Sequence, residues 1–181
     1  MRKFFIMVIL ALACFMPQTY AQITMPKPLY EPTVGFVEND FRWSMEKGSG
    51  VIAGKAQMKA QGGFIQTAEG EEVILVARTP YTDEIVKATR MDGFFDKYDN
   101  VRKHPDYNHY RRVQTAVNGG QFRFENLPAG EWYIATRVIW YTRDQYGKVS
   151  LHGGLVWGLI DLKDGETREN LVLNSTSEIA R

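Results

Sequence analysis

The sequence predicts an all-β fold: a small antiparallel β-sandwich with one short helix and a loop inserted between its second and third strands. Three observations carry this expectation. From Val51 onward, short segments rich in β-branched, aromatic and aliphatic residues follow one another, turn residues separate them, and apolar and polar side chains alternate within the clearest of them. The segments are Val51 to Met58, Glu72 to Arg78, Gln121 to Glu125, Glu131 to Tyr141, Leu155 to Leu162 and Thr167 to Leu173. Strands this short, at this spacing, suit a sandwich.

Ahead of the first strand, residues 22 to 47 carry Pro26, Pro28 and Pro32 and read as an extended leader with little regular structure. Its end, Phe41-Arg42-Trp43, is expected to pack against the domain. Asn118-Gly119-Gly120, Pro128-Ala129-Gly130 and Asp164-Gly165 supply turns that fix hairpin register. The long segment alternates, with Trp132, Ile134, Thr136, Val138 and Trp140 on one face. Its other face, Tyr133, Ala135, Arg137, Ile139 and Tyr141, is still fairly apolar, so the strand is placed centrally and Arg137 calls for a carboxylate partner.

The stretch Thr82 to Arg112 does not read as strand. Ile85, Ala88, Met91, Phe95 and Tyr98 fall three or four apart, a helical stripe, with Thr82 as N-cap and Asp83 and Glu84 in the first turn. After Asp99-Asn100 the run to Tyr110 is expected to be an irregular loop, with a turn at His104-Pro105-Asp106.

Met1, Arg2 and Lys3 precede the apolar run Phe4 to Met16, which is followed by Pro17 and Thr19-Tyr20-Ala21, the pattern of a secretory signal peptide. The run is shorter than the about 20 residues that a permanent span needs. The preferred cleavage lies after Ala21; the alternative is a lipoprotein signal at Ala11-Leu12-Ala13-Cys14, anchoring the chain through Cys14. The expected organisation is a signal peptide over 1–21, a leader over 22–47, a sandwich domain over 48–175 and a tail over 176–181. The location is exported, periplasmic or secreted, unless Cys14 is lipidated. Cys14 is the only cysteine, so packing alone must hold the domain. Without Arg2 and Lys3, the 22 basic residues fall to 20 against 21 acidic ones, interspersed along the chain, which gives no reason to expect nucleic acid as partner.

Several segments resemble the carboxypeptidase regulatory-like domains, which share the transthyretin-like (prealbumin-like) β-sandwich. They are Ile52-Ala53-Gly54-Lys55-Ala56, Glu72-Val73-Ile74-Leu75-Val76 with Thr79-Pro80-Tyr81, and above all Gly120-Gln121-Phe122-Arg123-Phe124-Glu125-Asn126-Leu127-Pro128-Ala129-Gly130-Glu131-Trp132-Tyr133-Ile134. In the last, Phe122 and Phe124 are expected to enter the core while Leu127 to Gly130 reverses the chain. The resemblance covers residues 48 to 175 and implies a non-catalytic companion domain. The long stretch from Thr82 to Arg112 departs from the family's commonest pattern.

Enzyme chemistry finds little support in the residues. A zinc carboxypeptidase takes two ligands from His-x-x-Glu, and none of His104, His109 and His152 has glutamate three residues on. Hydroxyisourate hydrolases end in Tyr-Arg-Gly-Ser, whereas this chain ends Ser177-Glu178-Ile179-Ala180-Arg181. Intradiol dioxygenases present His-x-His with two tyrosines, and the nearest approach here, His104, Tyr107, His109 and Tyr110, has the wrong spacing. No catalytic, cofactor or metal residue is assigned.

The candidate partner-binding residues are Tyr107, Tyr110, Arg111, Arg112 and Tyr146. The first four put two amphipathic rings and two cations into one short stretch, a composition enriched at interfaces. Trp132, Trp140, Tyr141, Tyr146 and Trp157 concentrate on late strands and could stack on sugar rings, but such residues more often fill a core, and Tyr146 is the expected exposed exception. The expectation is therefore a non-catalytic binding or structural module of the bacterial envelope. Its partner would be an envelope protein or a glycan. The alternative is a carbohydrate-binding module, and the third reading a small metal-dependent enzyme.

Overall fold

The computed structural model describes residues 30–90 and 101–174. The signal segment, Met91, Phe95 and Tyr98 of the helical stripe, and the C-terminal tail lie outside the described residues. Among the described residues eight strands form two four-stranded sheets. One holds β1 (Gly50–Lys59), β2 (Ile65–Thr67), β5 (Gln121–Leu127) and β8 (Thr167–Leu173). The other runs in the order β4 (Arg111–Thr115), β3 (Glu72–Ala77), β6 (Gly130–Arg143), β7 (Val149–Leu162). All six expected strands are present, and β2 and β4 join them. Every pairing is antiparallel, as expected of the sandwich, except that β8 lies parallel to β1.

Alternation places the core between the sheets. Ile52, Phe122, Phe124 and Leu127 meet Leu75, Trp132, Ile134, Val138, Val156 and Ile160, all buried. The predicted face of β6 is the inward one, and β6 is central, between β3 and β7. On its other face Arg137 pairs with Glu71 at 2.9 Å.

A third layer covers the outside of the β4-β3-β6-β7 sheet. It consists of the N-terminal segment, with a helical turn α1 (Asn39–Arg42) running into a 3-10 turn (Trp43–Met45); the helix α2 (Pro80–Arg90); and a 3-10 helix over Pro105–Tyr110. α2 starts three residues earlier than the sequence suggested. Thr79, not Thr82, stands before the first helical residue: its Oγ1 accepts from the Thr82 N–H (3.1 Å) while Thr82 Oγ1 accepts from the Thr79 N–H (2.7 Å), and Pro80 occupies the position where a missing N–H costs nothing.

The leader is not merely extended. Phe41 is fully buried, as expected of a residue packing on the domain, and it shares a second core with Val76, Ala77, Tyr81, Ile85, Val101, Tyr107 and Tyr110. Trp43 joins the two cores, its ring edge-on to Trp132 at 5.0 Å. Gly130 permits this contact, since a Cβ there would sit 2.3 Å from the Trp43 ring. Glu84 on α2 clasps the leader: it accepts from Tyr30 Oη (2.8 Å), Thr33 Oγ1 (2.7 Å) and the Val34 N–H (2.7 Å). These bonds, the Val34 N–H first, hold the Glu84 carboxyl down at about 2.

Candidate functional site

Of the residues proposed from sequence to meet a partner, Tyr107 and Tyr110 are corrected by their burial. They are only 3% and 7% exposed and offer no ring to a visitor. The second half of the stretch that reads as an irregular loop, Pro105–Tyr110, is a 3-10 helix with Pro105 in its first turn, and residues three apart on such a helix share a face. Both rings therefore turn into the second core, where Tyr110 lies 5.3 Å and Tyr107 6.2 Å from the Phe41 ring. Arg111 and Arg112 belong to β4. Arg111 donates to Asn108 Oδ1 (2.8 Å). Arg112 donates to the Ser44 carbonyl (2.7 Å) and lies over the Trp132 ring at 5.7 Å, and burial pushes its pKa down. Both cations hold the leader and the 3-10 helix in place.

Tyr146 is the member of the set that reaches solvent, at 86% exposure. It sits in the turn between β6 and β7, whose geometry is closely defined. Asp144 Oδ1 accepts from the N–H groups of Tyr146 and Lys148, each at 2.9 Å, the Asp144 carbonyl accepts from the Gly147 N–H, and Gly147 takes a φ of +82°. The strands leading to this turn outrun the sandwich. β3 pairs with β6 only up to Thr136, so from Arg137 onward β6 pairs with β7 alone among the described residues; Val138 still belongs to the core and Trp140 packs against it, and from Tyr141 to Leu151 the two strands project as a ribbon. One face of the ribbon sets Tyr141 opposite Leu151 and Arg143 opposite Val149; Tyr141 is 66% exposed, Leu151 51% and Val149 49%. The other face stacks Trp140 on His152, with ring centroids 5.8 Å apart, and hydrogen-bonds Thr142 to His152 (2.7 Å). A row of exposed apolar and aromatic side chains on a projecting hairpin is the kind of surface that marks a binding site. The loop Asp144 to Gly147 marks Tyr146 as exposed in the sequence; where β3 ends, which leaves Tyr141 uncovered, is not written there.

The remaining aromatic residues of the late strands divide as burial requires: Trp132 is core, Trp140 is partly buried, and Trp157 packs against Tyr133 at 6.1 Å. An open trough of about 770 Å³ crosses β1, β5 and β8 and is lined by Lys55, Gln114, Gln121, Arg123, Glu169 and Asn170. Arg123 is engaged there by Glu125 (2.6 Å) and Glu169 (2.9 Å), and Phe122, which borders it, turns into the core. The trough offers hydrogen bonds without a stacking ring. His104 stacks on Phe36 at 4.6 Å and His109 packs edge-on against Tyr110, and among the described residues no three His, Cys, Asp or Glu side chains converge as a metal site would.

The fold so described is that of a small β-sandwich with one covered face. Among solved structures it is similar to a candidate carbohydrate-binding protein of Pseudomonas aeruginosa, with a TM-score of 0.66 and 24% identity over 78% of this chain and 98% of that one. The likeness is one of fold. No protein-family model and no curated protein matches the chain.

Proposed function

We propose that this chain is a non-catalytic binding module of the bacterial envelope, exported by its N-terminal segment, of the carboxypeptidase regulatory-like kind, and that it meets its ligand with the β6–β7 ribbon. The observation that carries the reading is the projection of the ribbon beyond β3 with Tyr141, Tyr146, Val149 and Leu151 in solvent. Loops and hairpins on a rigid sandwich carry recognition while the strands beneath carry packing. A glycan is the ligand class favoured within this reading. Tyr141 and Tyr146 present amphipathic rings beside Arg143, Asp144 and Gln145, a pairing of stacking faces with hydrogen-bonding groups that suits sugars, and the fold neighbour is itself a candidate carbohydrate-binding protein.

The test is a photo-crosslinking residue placed at Tyr146 in the intact cell envelope, with Val113 on the far sheet edge as control. The reading expects an adduct at position 146 and none at 113, removable by glycan-degrading enzymes. An adduct removable only by protease moves the ligand class to protein. Adducts at Val113 alone would sink the ribbon as the binding element.

A further inference from the structure

Surface arginines of the sandwich and its covering layer are matched to carboxylates: Arg42 to Glu38, Arg78 to Asp83 and Glu131, Arg123 to Glu125 and Glu169, and Arg137 to Glu71. The ribbon breaks that pattern. Arg143 is exposed, gives one N–H to the Gly147 carbonyl at 3.2 Å, and has no carboxylate partner among the described residues; nor has the ammonium group of Lys148, across the turn. From Val138 to Ile160 the one acidic side chain is Asp144, and its Oδ1 is directed at the Tyr146 and Lys148 N–H groups of its own turn, each at 2.9 Å. The whole chain is nearly balanced, with 22 basic and 21 acidic residues, so the unmatched cations are a local property of the ribbon.

Their placement gives them a use. Arg143 stands across from Val149, and Tyr141, two residues earlier on the same face, stands across from Leu151. Residues two apart on a strand are about 7 Å apart, so the tyrosine ring and the guanidinium can meet one saccharide or two joined ones. A guanidinium takes a carboxylate or phosphate through two parallel hydrogen bonds, a geometry and a charge that a neutral sugar hydroxyl does not use. We infer that the ligand of the ribbon is an anionic glycan, one carrying carboxylate or phosphate groups, with Tyr141 and Tyr146 stacking on the sugar and Arg143, assisted by Lys148, holding the acidic group. The inference deepens the reading given under Proposed function and rests on it, since it requires the ribbon to be the binding element. Because both cations lie in solvent, the attraction they add is screened by salt, whereas stacking on the rings is not.

The experiment passes the protein, purified as exported from cells, over columns of immobilised bacterial envelope glycan that anion exchange has divided into an acidic and a neutral fraction. The chain should be retained by the acidic fraction and not by the neutral one, and its affinity should fall several-fold between about 30 mM and about 300 mM sodium chloride. Arg143→Gln should weaken retention about tenfold at an unchanged melting temperature, Lys148→Gln by less, and Lys87→Gln, an exposed cation on α2, not at all. Equal retention by the neutral fraction, abolished by Tyr141→Ala with Tyr146→Ala, would overturn the inference and leave the ribbon as the binding element. Retention by neither fraction would overturn the inference together with the reading beneath it. Arg143→Gln retained as tightly as the unsubstituted chain, or Lys87→Gln weakened as much as Arg143→Gln, would overturn it too. So would co-sedimentation with vesicles of phosphatidylcholine and phosphatidylglycerol that the acidic fraction does not displace, since the anion would then belong to a lipid surface.

Discussion

Replacing Phe41 by alanine tests the finding that the N-terminal segment is part of the folded core. The ring is fully buried, stacks on Phe36 at 5.0 Å, and lies 5.3 Å from Tyr110 and 6.2 Å from Tyr107. Deleting a buried phenylalanine ring costs about 3–5 kcal/mol, and the loss of several aromatic contacts puts this site in the upper half of that range. Set against a total stability of about 5–15 kcal/mol, the variant should unfold at a much lower urea midpoint and melt on the order of 10 °C earlier. Because Trp43 ties the second core to Trp132, the loss should appear in one cooperative transition, seen alike by tryptophan fluorescence and far-UV circular dichroism. A loss under about 1 kcal/mol would mean that the leader lies on the sandwich without sharing its stability.

Two further outcomes follow from the same packing. Phe124→Ala, on the inward face of β5, should cost about 3–5 kcal/mol in a urea melt, and a loss under about 1 kcal/mol would put that ring outside the core. The Glu84 clasp makes the leader acid-sensitive in a defined direction. With its carboxyl held at about 2 against an ordinary 4.5, the clasp stabilises fully above pH about 4.5 and is lost as pH falls toward about 2. The Val34 amide proton, bonded to Glu84, should therefore titrate by NMR with a midpoint near pH 2; a midpoint in the ordinary carboxyl range would show that the clasp does not form.

The sandwich was legible because its strands alternate and its turns are written in Asn, Gly and Pro. Phe122 and Phe124 are inward as their spacing required, and the partner that Arg137 called for is Glu71. The strands that escaped notice are those whose side chains do not choose their place. β2 is three residues long, and β4, Arg111–Thr115, has Val113 as its only aliphatic residue. β4 is fixed by the backbone of β3, which lacks any other neighbour on that side. The candidate site was half legible for a similar reason. Tyr107 and Tyr110 look like an interface pair in one dimension, but their spacing of three on a 3-10 helix, beside a leader carrying Phe36 and Phe41, makes them a core. The signal that could have shown this was Pro105 at the helix start, with Asp106 next to it in the first turn. Of that set Tyr146, 86% exposed among the described residues, sits where the sequence alone placed it.

The central claim, that the ribbon binds and does not merely fold, is tested most directly by affinity electrophoresis of the unsubstituted chain and of a Tyr141→Ala, Tyr146→Ala variant through gels containing envelope glycans, with melting temperatures measured in parallel. Both rings are mostly in solvent, so the substitutions should leave stability within about 0.5 kcal/mol and the melting temperature within a few degrees. The unsubstituted chain should be retarded and the variant, equally stable, should not. Equal retardation of the two chains would contradict it.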